Sequence, residues 1–270
     1  MNVKLINITD DAEEQIVEIA RVSSNRKDKQ AESSRLIAYL IRNKHWSPFE
    51  HAHLTVEIET SRGIAAQLLR HRSFSFQEFS QRYQDVDVLD EGEGVFEHVE
   101  LREAGATNRQ SSTKPFDEDI NYFGETKLAS EAIKAHMEDS KELYDTLIDA
   151  GVATECARFV LPLAVKTKIH MTGNIRSWIH FLELRLDEHA QKEVRLIAQQ
   201  VKNILYDYIP HVMDAIYNPS VPSTTRKKRV VLSDKDRKAI RKTLKKGKAT
   251  ISELAAKYNV VELTIKNIAS

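Results

Sequence analysis

Three adjacent side chains, Arg70, His71 and Arg72, are followed after seven residues by Ser80 and, one residue later, by Arg82. Guanidinium groups are planar and permanently charged, and they bind phosphate and carboxylate oxygens through paired hydrogen bonds. Because adjacent positive groups repel one another, an anionic partner is expected, either a carboxylate of the protein or a bound phosphate. A solvated basic helix end that complements the helix dipole is the alternative interpretation.

The chain lacks the glycine-rich loops that hold nucleotide phosphates in many folds. It has 8 glycines and contains neither GxGxxG nor GxxxxGK[ST], which excludes a Rossmann turn and a P-loop. Gln67 lies three residues before Arg70, on the same side of a predicted helix, and adds a further donor. The pattern therefore predicts that side chains, rather than backbone amides, bind the phosphates.

Two other kinds of chemistry have weaker support in the sequence. His51 and His53 would share one face of a strand near His45, but no third ligand with suitable spacing accompanies them. We therefore predict no metal site. Ser80 has no obvious Asp-His relay beside it, which favours a positioning donor over a nucleophile.

The cysteine content and the N-terminal sequence predict a cytoplasmic location. Cys156 is the single cysteine, which excludes an internal disulfide framework and a thiolate zinc cluster and agrees with a reducing compartment. The sequence MNVKLINITDDAEE does not resemble a signal peptide, and no run of eighteen apolar residues occurs. We expect a cytoplasmic protein without a membrane partner.

Hydrophobic periodicity predicts the elements that position these residues. The helical period predicts helices over 10–22, 31–43, 63–71, 126–149, 153–162 and 173–209, the last as one or two helices ending before Pro210. Strict alternation predicts half-buried strands over 53–60 and 164–172, and the polar stretch 85–119 is interpreted as a long surface loop or lid. This order predicts an α+β fold, with mixed helices around a small, largely antiparallel sheet and a small all-helical C-terminal appendage.

The pattern RHRx7SxR is the signature of the flavin-dependent thymidylate synthases, and the chain resembles that family in four further segments. These are ARVSS at 20–24, HWSPFEH at 45–51, ECARFVLPL at 155–163 and NIRSWIHFLELRLDEHAQKEVR at 174–195. The resemblance covers roughly residues 1–215, and five dispersed matches in the family's order are much harder to obtain by chance than one motif.

The resemblance implies a reaction, its cofactors and an assembly. A protein similar to this family is expected to bind FAD, to methylate dUMP to dTMP with methylenetetrahydrofolate as carbon donor, and to take electrons from NADPH through the flavin. It is also expected to form a homotetramer with shared active sites. A pyrophosphate and a monophosphate would account for the clustered guanidinium groups.

The resemblance also implies roles for individual residues. The flavin contacts would be Ser47, Arg70, His71, Arg72, Glu78, Asn174, Arg176 and His180. The contacts to the nucleotide dUMP would be Gln67, Arg70, Glu78, Ser80, Arg82, Arg158 and Arg185. Arg185 would be the catalytic residue, because its charge favours electron density at N3 and O2 of uracil and so activates the ring without a covalent nucleophile. Asn174 and Arg185 are eleven residues apart, so one helix could present both on nearly the same face.

Charge separates a C-terminal tail from the rest of the chain. Residues 223–270 contain 14 Lys+Arg and 4 Asp+Glu, whereas the chain as a whole has a formal net charge of zero. Composition and the resemblance together predict a catalytic domain over 1–217, a linker over 218–232 and a helix-turn-helix-like extension over 233–270.

The extension raises a different function for the chain. ATISELAAKYNVVELTIKNI, residues 249–268, resembles a helix-turn-helix in which Asn259 takes the left-handed turn. A DNA-binding regulator acting through this basic segment is therefore the alternative function. The second helix begins with Val261, Glu262 and Leu263, which are poor readers of base edges. A module used for packing or for weak nucleic-acid contact is at least as well supported.

Overall fold

The computed structural model describes residues 1–22, 33–90, 92–106, 112–218, 239–240, 242–244 and 250–258. The chain divides into two compact units, Met1–Val221 and Pro222–Ser270. Ser23 and Ser24 of the segment ARVSS lie outside the described residues, as do most of the predicted linker and the turn and second helix of the predicted helix-turn-helix.

The secondary structure is a mixture of helices and antiparallel strands. The strands are β1 Asn2–Ile8, β2 His53–Ser61, β3 Ser75–Glu78, β4 Arg102–Ala104, β5 Ser112–Pro115, β6 Asp119–Tyr122, β7 Glu125–Leu128 and β8 Lys166–Asn174. The helices are α1 Ala12–Ala20, α2 Ser33–Arg42, α3 Arg62–Leu68, α4 Ala129–Asp149, α5 Thr154–Ala157, α6 Ile175–Arg185, α7 Lys192–Tyr208, α8 Pro210–Tyr217 and α9 Ile251–Lys257. Single 3-10 turns occur at Ser47–Glu50, Val86–Leu89 and Arg158–Val160.

A four-stranded antiparallel sheet in the order β1-β2-β8-β3 forms the centre of the first unit. Leu54, Val56 and Ile58 of β2 are fully buried on one face, as their alternation with polar residues predicts. Helix α6 packs in the same core through Trp178, whose indole N–H donates to the carbonyl oxygen of Leu54 at 3.0 Å. The predicted α+β class with a small antiparallel sheet is confirmed.

Segments with a strong hydrophobic periodicity form the predicted helices and strands. Segments with a weak periodicity contain elements that the sequence did not predict. The strands expected over 53–60 and 164–172 are β2 and β8. Two strands of the four-stranded sheet, β1 and β3, were not predicted from the sequence. Both lie at the edges of this sheet, and β3 has only four residues. Pro210, expected to end the structured body, is the first residue of α8, where its missing N–H is harmless.

The polar stretch 85–119 is not simply a loop. It contains a 3-10 turn at Val86–Leu89 and a two-stranded ribbon of β4 and β5, and a β6-β7 hairpin follows it. The interpretation as a long loop without secondary structure is therefore wrong for these residues, whereas the role of a lid stays a prediction. Helix α3 is also shorter than expected and ends at Leu68, so the turn that carries Arg70 to Arg72 lies outside the helix.

Helix α9 of the second unit begins with a capping box. The backbone N–H of Thr250 donates to Oε2 of Glu253 at 2.8 Å, and the backbone N–H of Glu253 donates to Oγ1 of Thr250 at 3.2 Å. This agrees with the start of the first predicted helix of the extension. None of the described helices is both long enough and apolar enough to cross a membrane.

The central strand β8 and the segment that follows the RHR run approach each other closely at Gly173. A Cβ atom at this position would overlap the ring of Phe74. That ring is buried and packs edge-on against Trp178, with 4.7 Å between the ring centroids. Glycine at 173 thus lets Phe74 lie against the sheet, and Phe74 anchors the turn that carries the arginines.

We expect Gly173→Ala to lower the free energy of unfolding by about 1–3 kcal/mol, because the added methyl group forces Phe74 out of its position. Gly63→Ala is the matched control, since the nearest atoms there are 3.5 Å from the added Cβ and helix propensity favours alanine. Urea unfolding followed by circular dichroism measures both. An equal effect of the two substitutions would contradict this account of the packing.

Candidate active site

His71 is the buried member of the cationic run. Its side chain lies between two aromatic rings, with centroid distances of 5.1 Å to Phe181 and 6.1 Å to Phe74, and 9% of the residue is exposed. Nε2 of His71 accepts a hydrogen bond from Nε of Arg185 at 2.9 Å. An imidazole nitrogen that accepts carries no proton, so this contact requires the neutral ring with its proton on Nδ1.

Electrostatics favour the same neutral form of His71. Burial is the largest cause, followed by the positive charge of Arg185 and the neighbourhood of His180, and together they lower the pKa of His71 to about 4. The run therefore presents two charged arginines separated by a neutral imidazole at neutral pH. The charge repulsion that the sequence suggested is smaller than three cations would produce.

Arg185 is held at the C-terminal end of α6 by two acceptors. In addition to His71, the backbone carbonyl oxygen of Gln67 accepts from Nη2 at 3.4 Å. Burial lowers the pKa of Arg185 from its usual value. Asn174 caps the other end of the same helix by accepting from the backbone N–H of Ser177 at 2.8 Å. One helix therefore carries both residues, as their spacing predicted.

Arg70 and Arg72 differ from most of the other arginines because they are exposed and unpaired. Within the part of the chain that the structure describes, neither side chain has a hydrogen bond or an ion pair. The alternative of a solvated basic helix end agrees with the exposure of Arg70 and Arg72, but α3 ends at Leu68 and the middle member of the run, His71, is buried. Two free guanidinium groups flank the His71 to Arg185 contact and can bind an anion.

A cleft of about 630 Å³ is lined by Trp46, Glu50, Ser73, Asn174, Arg176, Ser177, Ile179, His180 and Glu183. Arg70, His71, Arg72 and Arg185 are not among these lining residues. Three predicted flavin residues, Asn174, Arg176 and His180, thus share one cleft. Ser47 lies on the same 3-10 turn as Glu50 and is exposed.

Glu50, which has no role predicted from the sequence, forms an ion pair with Arg176. Both residues line the cleft. The position of Glu50 within the family-like segment HWSPFEH is the sequence feature that could have indicated a role for it. Arg176 is therefore neutralised in part, whereas Arg70 and Arg72 are not. The exposed His180 lies 3.6 Å from the carboxylate of Glu183.

The other predicted nucleotide residues lie at the far end of β3. Glu78 forms an ion pair with Arg62 at 2.6 Å and accepts from the hydroxyl of Thr167 at 3.0 Å. The side-chain carboxylate of Glu155 accepts from Arg82 at 3.3 Å. The backbone carbonyl oxygen of Glu155 accepts from Nε of Arg158 at 3.2 Å. Glu155 thus brings two of the predicted phosphate-binding arginines together, a role that the sequence did not suggest.

The strand β3 separates the predicted nucleotide residues into two groups. Ser75 pairs with Thr172 and Glu78 pairs with Ile169, so the strand runs the length of three peptide steps, about 10 Å. Gln67, Arg70 and Arg185 belong to one end of this strand, and Glu78, Ser80, Arg82 and Arg158 belong to the other. The described part of one chain does not gather the whole set around a single point.

Cys156, the single cysteine of the chain, is exposed and its thiol is free. It lies on α5, two residues before Arg158. Among the described residues, no group of three or more His, Cys, Asp or Glu side chains has the arrangement of a metal site.

The comparison with known proteins decides the family. The model of the thymidylate synthase complementing protein family matches residues 4–211. The chain belongs to this family. Its members are the flavin-dependent thymidylate synthases, so the resemblance inferred from the RHRx7SxR signature is confirmed.

Individual relatives of the family support the same conclusion. The chain is 43% identical over 224 residues to a probable flavin-dependent thymidylate synthase of Paramecium bursaria Chlorella virus 1, covering 80% of this chain and 99% of the relative. It is 41% identical over 197 residues to the flavin-dependent thymidylate synthase of Synechocystis sp., covering 73% of this chain and 86% of that protein.

A solved structure is also similar. The crystal structure of a UMP/dUMP methylase from Streptomyces cacaoi, bound with 5-Br dUMP, has a TM-score of 0.62 and 28% sequence identity, and the match covers 80% of this chain and 94% of that chain. The comparisons thus support an enzyme of the family and give no support to the alternative of a DNA-binding regulator.

The low pKa of His71 predicts how stability depends on pH. Above pH 6.5 the ring is neutral in both the folded and the unfolded chain. Between pH 6.5 and about 4 the unfolded chain binds a proton that the folded chain does not, so stability falls as the pH falls and levels off below about 4. We expect this loss to be about 2 kcal/mol, since Arg185 keeps some contact with solvent.

The substitution His71→Gln should remove this part of the pH dependence, because glutamine does not titrate. His98→Gln, at an exposed position, should keep the profile of the parent protein. Urea unfolding between pH 4 and 8 measures the difference between the variants. Parallel profiles for the parent and His71→Gln proteins would show that His71 is not held neutral.

Proposed function

We propose that the protein catalyses the reductive methylation of dUMP to dTMP, with methylenetetrahydrofolate as carbon donor and FAD, reduced by NADPH, as redox cofactor. A methylene group needs two electrons to become a methyl group, so a carbon donor at this oxidation level requires a reductant. Membership of the family supports the reaction, and the similarity to a dUMP methylase supports the pyrimidine nucleotide as substrate.

The observation that carries the proposal is the pair of unpaired arginines beside the His71 to Arg185 contact. Side-chain guanidinium groups without a carboxylate partner suit the phosphates of a dinucleotide in a chain that has no glycine-rich loop. The donor set of the cleft, with Asn174, Arg176 and His180, also fits a flavin dinucleotide. FAD, when bound, supplies the two-electron chemistry that the side chains of the protein lack.

The residues of the chain have distinct proposed tasks. Arg70, His71, Arg72, Glu78, Ser47, Asn174, Arg176 and His180 are proposed to contact the flavin. Gln67, Arg70, Glu78, Ser80, Arg82 and Arg158 are proposed to bind dUMP. Arg82 donates to the carboxylate of Glu155 and Arg158 donates to the backbone carbonyl oxygen of the same residue, so both guanidinium groups lie near one position where a phosphate could bind.

Arg185 is the proposed catalytic residue. His71 and the carbonyl of Gln67 hold Nε and Nη2, which leaves Nη1 free to donate to the pyrimidine. A fixed positive charge beside N3 and O2 favours electron density at these atoms and so activates the pyrimidine ring without a covalent nucleophile. Neutral His71 is important for this task, because a protonated imidazole could not accept from Arg185.

The proposal includes an assembly in which several copies of the chain form the active sites together. The predicted nucleotide residues lie at both ends of β3, which supports a site that residues of a second copy complete. Large apolar side chains beside Arg82 and Arg158 are strongly exposed, namely Tyr83 at 80%, Phe159 at 81% and Leu163 at 75%. We propose that another copy covers them in a homotetramer with shared active sites.

The division of the chain and its location belong to the same proposal. We propose a catalytic domain over 1–217, a linker over 218–232 and an extension over 233–270 in a cytoplasmic enzyme. The charge of the extension supports at most a weak, salt-dependent contact with nucleic acid, in addition to the enzymatic function. The folate that donates the carbon atom is the remaining proposed partner.

The purified full-length chain tests the proposal directly. We expect the absorbance bands of oxidised flavin, and formation of dTMP from dUMP that requires methylenetetrahydrofolate and NADPH. Light scattering should give an oligomer. A protein that has no flavin, forms no dTMP and remains a monomer would contradict all three parts of the proposal.

Cys156→Ala distinguishes this reaction from methylation that begins with a cysteine nucleophile. We expect the variant to retain at least about half of the rate of dTMP formation, because no described histidine contacts the thiol to activate it. The rate of the flavin-loaded variant measures the outcome. Complete loss of dTMP formation in a folded Cys156→Ala protein would make the thiol the nucleophile.

Arg185→Lys tests the proposed catalytic role. Lysine keeps the positive charge, but its three N–H donors lie on one nitrogen and cannot reproduce the planar fork with which Arg185 reaches His71, the carbonyl of Gln67 and the pyrimidine. We expect kcat to fall by about 10- to 100-fold with flavin still bound. Steady-state kinetics and the flavin absorbance give the result, and unchanged kcat would remove Arg185 from the chemical step.

A further inference from the structure

A chain of hydrogen bonds links the β4-β5 ribbon to Gln67. Nη1 and Nη2 of Arg102, on β4, donate to the two carboxylate oxygens of Glu193 at 2.8 and 2.9 Å. Oε2 of Glu193 also accepts from Nε2 of Gln191 at 2.8 Å. Oε1 of Gln191 then accepts from Nε2 of Gln67 at 2.6 Å.

The inner end of this chain is a buried ion pair. The side chains of Arg102 and Glu193 are 10% and 4% exposed. Burial by itself raises the pKa of Glu193, but the hydrogen bonds from Arg102 and Gln191 more than offset it and keep the pKa low. Glu193 is therefore an ionised carboxylate and can only accept hydrogen bonds.

An acceptor that cannot donate fixes the direction of every bond that follows it. Because Glu193 accepts, Gln191 must turn its NH2 group toward the carboxylate, which turns its carbonyl oxygen toward Gln67. That oxygen also only accepts, so Gln67 must turn its own NH2 group toward Gln191. The amide of Gln67 therefore has one orientation, with Oε1 and one N–H left for another partner.

We propose that Glu193, paired with Arg102, is a positioning residue that sets the amide orientation of Gln67 through Gln191 and so tightens the binding of dUMP. The proposal rests on the assignment of Gln67 to the dUMP site under the proposed function. It gives the segment 97–106 a role in nucleotide affinity, although Arg102 and Glu193 themselves touch no substrate.

Removing both charges tests the proposal without leaving a lone buried charge. Arg102→Met/Glu193→Met replaces the ion pair by apolar side chains of similar length, which is often tolerated in protein interiors. Gln191 then has no obligatory acceptor, and Gln67 can take either orientation. We expect the dissociation constant of dUMP and its KM to rise roughly three- to tenfold, with kcat at saturating dUMP changed less than about twofold.

Gln191→Leu breaks the chain at its exposed middle and keeps the ion pair, so it serves even if the double variant folds poorly. It should raise the dUMP dissociation constant by the same factor. Adding Gln191→Leu to the double variant should have no further effect, because the three residues act in series. Calorimetric titration of the flavin-loaded protein with dUMP gives the dissociation constants.

Lys192→Met is the matched control. Lys192 forms an exposed ion pair with Glu100 and so joins the same two segments. Glu100 also accepts from Nη1 of Arg102 at 3.3 Å, but the hydrogen bonds that lead from Arg102 to Gln67 do not pass through Lys192. Its substitution should leave dUMP binding unchanged. Equal weakening by Lys192→Met would indicate general loosening of the segment and would overturn the proposal.

Gln67→Ala separates the two ways in which the proposal could fail. If Gln67→Ala weakens dUMP binding while the double variant and Gln191→Leu do not, the positioning role is wrong and the proposed function stands. If Gln67→Ala has no effect on dUMP binding, the assignment of Gln67 is itself wrong, and the positioning role is wrong with it.

Discussion

The hydrogen bond from Arg185 to the neutral imidazole of His71 is the constraint on which the rest of the site depends. It joins the turn after α3 to the last residue of α6, two segments that are 114 residues apart in sequence. It forms only while His71 lacks a proton on Nε2, and burial between Phe74 and Phe181 keeps it so. Packing of apolar rings thus sets the protonation state of a polar group, and that state orients the guanidinium of Arg185.

The same packing explains where the free arginines are. Phe74 can lie against the sheet only because residue 173 has no Cβ atom, and this fixes the turn that precedes β3. With His71 directed into the core, the neighbouring Arg70 and Arg72 are directed to solvent, where they have no carboxylate partner among the described residues. Their positions follow from the burial of the residue between them.

Part of this arrangement could be predicted from the sequence, and the reason differs from element to element. The strands β2 and β8 were predictable because apolar residues recur at every second position within each of them, at Leu54, Val56 and Ile58 and at Ile169 and Met171. The strand β3 was not, because four residues carry too little periodicity. The signature residues were recognisable by spacing, whereas the contact of Gln67 with Gln191 depends on how α3 and α7 pack. No local pattern encodes such a contact.

Charge pairing gives the most direct indication of where an anion binds. The chain has equal numbers of acidic and basic residues, so its net charge predicts nothing about a ligand. Four arginines near the site already have a carboxylate, in the pairs Arg62 with Glu78, Arg82 with Glu155, Arg102 with Glu193 and Arg176 with Glu50. A paired arginine offers less attraction to an anion, because its charge is partly compensated. Arg70 and Arg72 keep their full charge beside a neutral imidazole, so they attract a phosphate more strongly than these four paired arginines do.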